Sequence, residues 1–293
     1  MLVLEANKFV ITQFRLLLSI LAALLIVFNY KVAFATDTFL SPVEEDIADG
    51  YVQLYNGKDL TGWKTICRKC DSAILAELFM PVEDRVLHVF KNLPDEYQLN
   101  ERKNDTHGLM ITEKKYNRFS FKFQYKWGKK KFNNFKAFQY DAGAFYHIFK
   151  EKVWPRGIEY QVRYNHLTKR NHTGDLWNLT GKPVTTWVGD DGTFILESDG
   201  GKPKQHIKGE HRALKDVPYH ALDGQWNQSE IIVMDDSYAI HKLNGKIVNV
   251  LTNMSVKNGS IALQSETGEI FYRHILIKEF AKTHPIDYFL NKK

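Results

Sequence analysis

Alternating apolar and polar residues recur along the chain and predict β-strands. The segment 119–127 alternates five aromatic residues with polar ones, and the segment 158–164 alternates apolar residues with Glu159, Gln161 and Arg163. Successive side chains of a strand point to opposite faces, so each segment presents one face to a core and the other to polar surroundings. Both segments are therefore expected to be half-buried strands.

Turn signals separate the predicted strands at short intervals. Asn56-Gly57, Asn244-Gly245 and Thr267-Gly268 are examples, and no long helical period occurs between Gly50 and Phe280. Many short strands separated by turns are typical of a β-sandwich or a jelly roll. We therefore predict a single all-β domain over residues 50–280.

The first 49 residues carry the pattern of an export signal followed by a linker. Lys8 and Arg15 precede the apolar run 16–28, and Ala33-Phe34-Ala35 matches the A-x-A cleavage pattern. The run is shorter than the roughly 20 residues that a membrane-spanning helix needs, so the mature chain is expected to have no membrane span. We expect a signal peptide over residues 1–35, cleavage near Ala35 and export to the periplasm or the medium. A retained anchor is the alternative.

Two further segments flank the predicted domain. Residues 36–49 are polar and acidic and are interpreted as a linker, and residues 281–293 are interpreted as a tail.

The composition narrows the class of protein. The net charge of +6 over 293 residues is small, whereas nucleic-acid binders usually concentrate basic residues in a stripe. The segment 126–136 is basic with interleaved aromatic residues, which would suit nucleic acid, but we interpret it as a solvated loop of an exported protein. Aromatic residues make up 13% of the chain, which suits both β-structure and contact with sugars.

Cys67 and Cys70 are the only cysteines of the sequence. A C-x-x-C pair can be a redox centre or half of a zinc site, but zinc needs a second pair, and this segment lacks a thioredoxin-like setting. In an oxidising compartment we expect a small structural disulfide.

The polar face of the segment 158–164 is the first candidate for a functional site. It carries a carboxylate, an amide and a guanidinium in a row. Glu159 is the favoured catalytic carboxylate, as a base or a metal ligand, and Arg163 or Arg156 is expected to keep it ionised. A structural Glu–Arg pair is the alternative.

Several segments of the chain occur in the order found in one known family. They include GYVQLYNGKDLTGW at 50–63, WPRGIEYQV at 154–162 and ALQSETGEIFYRHILI at 262–277. Over about residues 50–280 the chain resembles the 3-keto-disaccharide hydrolase domain family, which implies a concanavalin-like jelly roll. Three features depart from the family pattern: Asp141-Ala142-Gly143 replaces Asn-Ser-Gly, His274 replaces Asn, and the segment 184–222 has no family counterpart.

The resemblance implies cleavage of glycosides that carry a ketone at sugar carbon 3. The ketone acidifies the hydrogen at carbon 2, so a base can remove it and expel the aglycone from carbon 1, and water then adds to the double bond. This reaction needs a base, an acid and a donor to the enolate oxygen.

Two other functions stay open at this point. The first is a conventional glycosidase, in which Glu159 and Glu266 would be the paired carboxylates. The second is a non-catalytic carbohydrate-binding module. In all three cases a carbohydrate is the expected partner, and the sequence carries no signal for an oligomeric state.

Further site residues come from the neighbouring segments. His147 is a catalytic candidate because histidine titrates near neutral pH, with a hydrogen-bonded strand-end histidine as the alternative. Glu266 and Gln264 share a strand face by their i, i+2 spacing and are expected to approach Glu159 across the sheet. Nearby aromatic and polar residues are expected to bind the substrate: Tyr146, Trp154, Arg156, Gln161, Gln264, His107 and Asp175.

The remaining predictions concern the core and a cofactor. Core packing is the alternative for Tyr146, while Trp63, Phe121, Phe123 and Trp226 are assigned to the core, and Arg273 is assigned to a contact with a neighbouring strand. Oxygen-rich side chains near the cleft would accept a divalent metal such as calcium, but no spacing such as H-E-x-x-H supports one. The metal is therefore left open.

Overall fold

The computed structural model describes residues 42–68, 70, 75, 77–94, 106–132 and 138–290. The predicted signal peptide, its cleavage site and the first part of the predicted linker lie outside these residues. Two short helices are described. Helix α1 spans Pro42–Ala48 and helix α2 spans Asp287–Leu290.

Strands dominate the rest of the described chain. The first nine are β1 Val52–Gln53, β2 Trp63–Cys67, β3 Phe79–Val82, β4 Val86–Val89, β5 Gly108–Thr112, β6 Arg118–Lys131, β7 Tyr140–Lys150, β8 Arg156–Asn165 and β9 Arg170–Asn171. The others are β10 Leu176–Asn178, β11 Val184–Val188, β12 Lys202–His206, β13 Gly209–His211, β14 Asn227–Met234, β15 Tyr238–Leu243, β16 Lys246–Thr252, β17 Ser260–Ser265 and β18 Gly268–Glu279.

The strands form two antiparallel sheets. Sheet A has the order β12-β11-β16-β15-β14-β6-β18-β4-β3, with β1 paired to β18, and sheet B has the order β13-β10-β8-β7-β17-β5-β2, with β9 paired to β8. Several neighbours in these orders are distant in sequence, such as β6 with β18 and β7 with β17, as in the Greek-key connections of sandwiches. The fold is the predicted concanavalin-like jelly-roll sandwich.

The core lies between the inner faces of the two sheets. Phe119, Phe121, Phe123 and Tyr125 of β6 are fully buried there, as their alternation predicts. The rings of Phe123 in sheet A and Tyr160 in sheet B are 6.2 Å apart, centroid to centroid. Each buried aromatic side chain contributes about 1.5–3 kcal/mol through removal of apolar surface from water.

Two segments outside the predicted strands are more ordered than expected. Helix α1 begins within the predicted linker, and helix α2 lies within the predicted tail. Phe289 of α2 is buried in an apolar cluster with Met234 and Ile240, on the outer face of sheet A. This part of the predicted tail therefore belongs to the packed domain, because it covers apolar positions of the sheet.

The basic segment 126–136 is also different from the prediction. Residues up to Lys131 continue strand β6 instead of forming a loop, and residues 133–137 lie outside the described residues. The strand continues because Lys131 still pairs with Gly268 of β18 beyond a register shift, and the amides of Lys129 and Lys130 donate to Glu269 Oε2.

The assignment of Trp226 to the core is wrong. Trp63, Phe121 and Phe123 are buried as predicted, but Trp226 is only half-buried. It precedes Asn227, which pairs with the inward-facing Tyr125, so strand alternation turns Trp226 outward. The guanidinium of Arg273 lies 4.0 Å from the Trp226 ring centroid, and Arg273 Nε donates to Gln124 Oε1 of the neighbouring strand at 2.8 Å, as predicted.

Cys67 and Cys70 are joined by the predicted disulfide. In the loop-rich region 166–225, Thr193 and Phe194 form single bridges to Arg212 and Val188. Within the described ranges, neither helix has the length and hydropathy that a membrane span requires.

Candidate active site

The outer face of sheet B carries three carboxyl groups, those of Asp141, Glu159 and Glu266, here called the carboxyl cluster. Strand β7 pairs with β8 so that Asp141 lies opposite Arg163 and Phe145 opposite Glu159. On the other side of β7, Leu263 pairs with Ala144. Strand alternation therefore places the side chains of β17 that flank Leu263 on this same outer face.

Gly143 lets the two flanking strands meet over β7. A Cβ atom built at Gly143 would collide with the carboxylate of Glu159 and would lie 3.0 Å from Gln264 Oε1. The carboxylate from β8 and the amide from β17 therefore share the space above the glycine. Gln264 therefore approaches Glu159 across the sheet, as the sequence predicts.

Arg163 is the positive centre of the site. Its guanidinium lies 3.9 Å from Asp141 Oδ2 and 3.8 Å from Asp175 Oδ2, and it also forms an ion pair with Glu210. The ring of Phe138 covers it at 4.3 Å. Burial opposes the positive charge, but the surrounding carboxylates outweigh burial and raise the pKa of Arg163.

Burial decides the protonation of the carboxyl cluster. It raises the pKa of Glu159 well above the usual range, the nearby Asp141 adds to the rise, and Arg163 opposes it. Burial and then the neighbouring Glu159 raise the pKa of Glu266 to about 8, and burial and then Glu266 raise the pKa of Asp141. The cluster therefore retains protons at neutral pH, because one guanidinium does not balance two buried carboxylates and the largely buried carboxylate of Glu266. Arg163 does not keep Glu159 ionised to the extent that the sequence led us to expect.

Unpartnered polar atoms surround the cluster. Among the described residues, no hydrogen-bond partner is present for either amide atom of Gln264, for either ring nitrogen of His107, or for Trp177 Nε1, although all these atoms are buried. Trp177 pairs with Glu159 across β10 and β8. Buried polar groups in proteins are nearly always hydrogen-bonded, so an unsatisfied group indicates a functional role or a bound molecule. A polyhydroxylated ligand offers both the donors and the acceptors that these atoms lack.

His107 and Trp154 extend the site toward solvent. His107 Nε2 lies 3.4 Å from Glu266 Oε1, and the rings of His107 and Trp154 are 5.2 Å apart, centroid to centroid. Burial, together with Arg68, lowers the pKa of His107 to about 3, so its ring is neutral at pH 7. Trp154 is 36% exposed, which leaves an aromatic surface beside the cluster.

Gln161 and Asp175 are both in contact with the site, but they are held by protein groups. Gln161 Nε2 donates to Asp141 Oδ1 at 2.6 Å and to the Ala142 carbonyl at 2.7 Å, so one amide hydrogen holds Asp141 and the other is used by the backbone. Asp175 Oδ1 accepts from the Ala213 amide at 2.7 Å, and its Oδ2 lies 3.2 Å from Arg212. These residues position the cluster instead of presenting free groups to a ligand.

Three predicted residues are placed elsewhere. His147 is fully buried against Phe119 of sheet A, because a bulge in β7 after Tyr146 turns its side chain away from the outer face. Tyr146 is also fully buried and contacts His241 Nε2 at 3.0 Å in the core, which is the alternative considered from the sequence. Arg156 donates to the Thr180 carbonyl at 2.9 Å and makes no described ion pair with the carboxyl cluster.

His172, Asp175 and Glu210 offer the donor types of a metal site, with ligand atoms within 4.8 Å of one another. Two guanidiniums already face them: Arg212 contacts Asp175, and Arg163 contacts Glu210. A divalent cation would be repelled by both positive charges. The arrangement fits a charge-balanced ion-pair network better than a cation site.

Sequence reasoning missed several residues of this network. Glu210, His172 and Arg212 come from the loop-rich region, where no hydrophobic periodicity indicates which way a side chain points. The position of Asp141 could have been predicted, because strand alternation places it on the same face of β7 as Gly143 and Phe145.

The fold and the site together define a jelly-roll protein with a carbohydrate-active role. The chain belongs to the family described as the 3-keto-alpha-glucoside-1,2-lyase-like domain, which matches residues 50–278. No curated protein sequence matches the chain.

Solved structures share the fold at low sequence identity. A protein from Parabacteroides distasonis assigned to the glycosyl hydrolases is 21% identical, with 82% of this chain and 98% of that chain covered and a TM-score of 0.48. A second such protein from the same organism is 16% identical, with 78% and 99% covered and a TM-score of 0.47. The β-glucanase of Bacillus licheniformis is 9% identical, with 79% and 97% covered and a TM-score of 0.41.

Proposed function

We propose that this protein cleaves 3-keto-glucosides by eliminating the aglycone and then hydrating the product. The observation that carries the proposal is the carboxyl cluster, in which three carboxyl groups of raised pKa, two of them buried, lie around one arginine beside unpartnered polar atoms. Family membership supports the substrate class, because the family is described by lyase chemistry on a 3-keto-glucoside.

The chemistry balances without an external oxidant. A base removes the hydrogen at carbon 2, the electron pair forms the double bond between carbons 1 and 2, and the bond from carbon 1 to the aglycone oxygen breaks. The aglycone oxygen takes a proton from an acid. Water then adds its hydroxyl to carbon 1 and a proton to carbon 2, so that the net change is hydrolysis.

The cluster supplies groups for each proton transfer. We assign Glu266 as the acid, because a carboxyl group with a pKa of about 8 is protonated at neutral pH and can donate. We assign Glu159 as the base in its ionised form, which the nearby Arg163 favours; because burial raises its pKa, this form becomes more populated as the pH rises and is a stronger base than an ordinary carboxylate. The same groups can reverse roles during hydration, since each ends the elimination in the other protonation state.

The enolate oxygen needs donors that are positioned in advance. Arg163 is buried and positively charged beside the cluster. Gln264 lies next to the space above Gly143, and its amide nitrogen has no hydrogen-bond partner among the described residues, so it can donate to a ligand. Trp154 is exposed next to His107, where it can pack against the apolar face of a pyranose. We also propose export, for which the sequence of the first 35 residues is the support.

The test is turnover of a matched pair of substrates. Aryl 3-keto-glucoside is expected to be cleaved with release of 3-keto-glucose, and a 2-hydroxy-glucal is expected to form transiently, while the unoxidised parent glucoside stays intact. Cleavage of the parent would favour the conventional glycosidase. Binding of both compounds without turnover of either would favour the binding module.

Glu159→Gln is expected to reduce kcat for the 3-keto substrate by about 10²–10⁴-fold, the range that a general base contributes. The measurement is release of aryl aglycone, and Glu113→Gln, an exposed carboxylate outside the cluster, is the matched control. Unchanged kcat in Glu159→Gln would contradict the assignment of the base.

A further inference from the structure

A cavity of about 570 Å³ adjoins the carboxyl cluster at the end of β8. Asp175 lines this cavity and also lies 3.8 Å from the guanidinium of Arg163, so it forms a common wall between the two sites. Tyr164, which follows Arg163 in β8, lines the cavity as well. A group attached to carbon 1 of a sugar at the cluster would have to pass Asp175 to reach the cavity.

One wall of the cavity comes from the segment that departs from the family pattern. Residues 213–217, together with Tyr219 and Ala221, line it, and all of them lie within the segment 184–222. The amide of Ala213 donates to Asp175 Oδ1 at 2.7 Å, which fixes this wall against the common wall.

The opposite wall is cationic. Lys169 and Arg170 line the cavity, both are exposed, and neither forms an ion pair with a carboxylate in the part of the chain that the structure describes. Of the two acidic residues in the lining, Asp175 is balanced by Arg163 and Arg212. Only Asp216 offsets the two free cations, since the third cation, Lys215, is paired with Asp191 at 2.5 Å.

The floor of the cavity is aromatic. The rings of Tyr164 and Tyr219 are 5.9 Å apart, centroid to centroid, and both residues line the space. An aromatic floor next to unpaired cations suits a planar, negatively charged group, because the ring packs on the tyrosines and the charge is neutralised at the rim.

We infer that this cavity binds the aglycone and selects glycosides whose aglycone is acidic, such as one bearing a carboxylate or a sulfonate. The inference rests on the proposed function, because it takes the carboxyl cluster as the place where the sugar is held. Lys169 and Arg170 are the residues that would recognise the negative charge.

The test compares substrates that differ only in this charge. The 3-keto-glucoside of 4-hydroxybenzoate is compared with that of its methyl ester, and the sulfonate analogue with its sulfonamide. The wild-type protein is expected to have a higher kcat/KM for the carboxylate or the sulfonate than for its neutral partner. The double variant Lys169→Ala/Arg170→Ala is expected to lower kcat/KM for the acidic substrates by on the order of tenfold and to leave the neutral substrates unchanged.

Lys246→Ala/Lys282→Ala is the matched control, because it removes the same charge from exposed positions outside the cavity. It is expected to leave both kcat/KM values unchanged. Added salt should reduce the preference of the wild-type protein for acidic substrates, since exposed charges are screened.

The outcomes separate the two proposals. Turnover of all substrates with no preference for acidic ones, or an equal loss in the control variant, would overturn the cavity inference and leave the proposed function standing. Absence of turnover for every 3-keto substrate would overturn the proposed function. In that case calorimetric titration with free 4-hydroxybenzoate decides the inference, which requires binding to the wild type and weaker binding to the double variant.

Discussion

Gly143 is the residue on which the geometry of the site depends most directly. It is the position of β7 over which Glu159 and Gln264 come together from the two neighbouring strands. A glycine here is explained by this close approach, because any side chain would fill the space that the carboxylate occupies.

Gly143→Ala is expected to destabilise the protein by about 1–3 kcal/mol, as overpacking in a well-packed site does. The added Cβ collides with the Glu159 side chain, so Glu159→Ala should relieve most of the cost. Urea unfolding of the two single variants and the double variant measures the coupling. Strictly additive effects would show that the collision with Glu159 is not the cause.

The raised pKa of Glu266 predicts a dependence of stability on pH. Its pKa is about 8 in the folded protein against 4.5 for the free group. Between pH 4.5 and pH 8 the unfolded chain ionises this carboxyl more readily than the folded protein does, so the free energy of unfolding falls as the pH rises over this range. The contribution is favourable below pH 4.5 and is lost as the pH rises through 8. Replacement by glutamine removes this loss.

Thermal or urea unfolding of the wild type and Glu266→Gln between pH 5 and pH 9 checks this prediction. The free energy of unfolding of the variant should increase relative to that of the wild type as the pH rises. A difference that is constant over the range would contradict the raised pKa, and Glu113→Gln serves as the control for an exposed carboxylate.

Among the elements, strand β7 shows why sequence alternation has a limit. Alternation places residue 147 on the outer face with Phe145, but the bulge after Tyr146 inserts extra residues before Lys150 pairs with Arg156. His147 adopts a φ of 51° there, and its side chain enters the interior. A bulge of this kind leaves no regular signal in the sequence, because it changes the parity of a strand without changing its composition.

His147→Asn is expected to leave kcat/KM for the 3-keto substrate within about threefold, because His147 lies away from the carboxyl cluster. Asparagine tolerates a positive φ better than most residues, so the cost in stability should be limited to about 1–2 kcal/mol. Steady-state kinetics and urea unfolding measure the two effects. His107→Asn, which alters a residue next to Glu266, should instead lower kcat/KM by tenfold or more. A larger loss of kcat/KM in His147→Asn than in His107→Asn would support His147 as the catalytic residue that the sequence suggested.

Strands β8 and β17 behaved as their patterns predict. Glu159 and Gln264 lie on one face, since each strand keeps its alternation without interruption. The order of the strands could not be predicted, because it depends on pairings between segments more than 100 residues apart, such as β7 with β17. Only this strand order shows that Gly143 is the residue over which Glu159 and Gln264 meet.

At the scale of the whole molecule, the sandwich and its main aromatic layer follow from the sequence. The network around Arg163 does not, since Glu210 and Arg212 come from a region of loops and short strands. The protonation of the cluster was also beyond the sequence. It depends on burial, and Glu159 is only 3% exposed on a face that the pattern alone describes as solvated.

The arrangement divides the molecule into a structural half and a reactive face. Sheet A and the inner face of sheet B contribute the core, while the outer face of sheet B gathers ionisable groups from β7, from β8 and from Glu266, which follows β17. We therefore expect that variants of the cluster affect turnover before they affect the fold.

The central claim is that the carboxyl cluster removes the hydrogen at carbon 2 as a proton, which exchanges with solvent, and later delivers a solvent-derived proton to that carbon. The most direct test is cleavage of an aryl 3-keto-glucoside in deuterated water, with product analysed by NMR or mass spectrometry at early times and with a no-enzyme control for spontaneous exchange. Elimination followed by hydration predicts 3-keto-glucose that carries deuterium at carbon 2. Product that retains the original hydrogen at carbon 2 would show direct displacement at carbon 1 and would contradict the account.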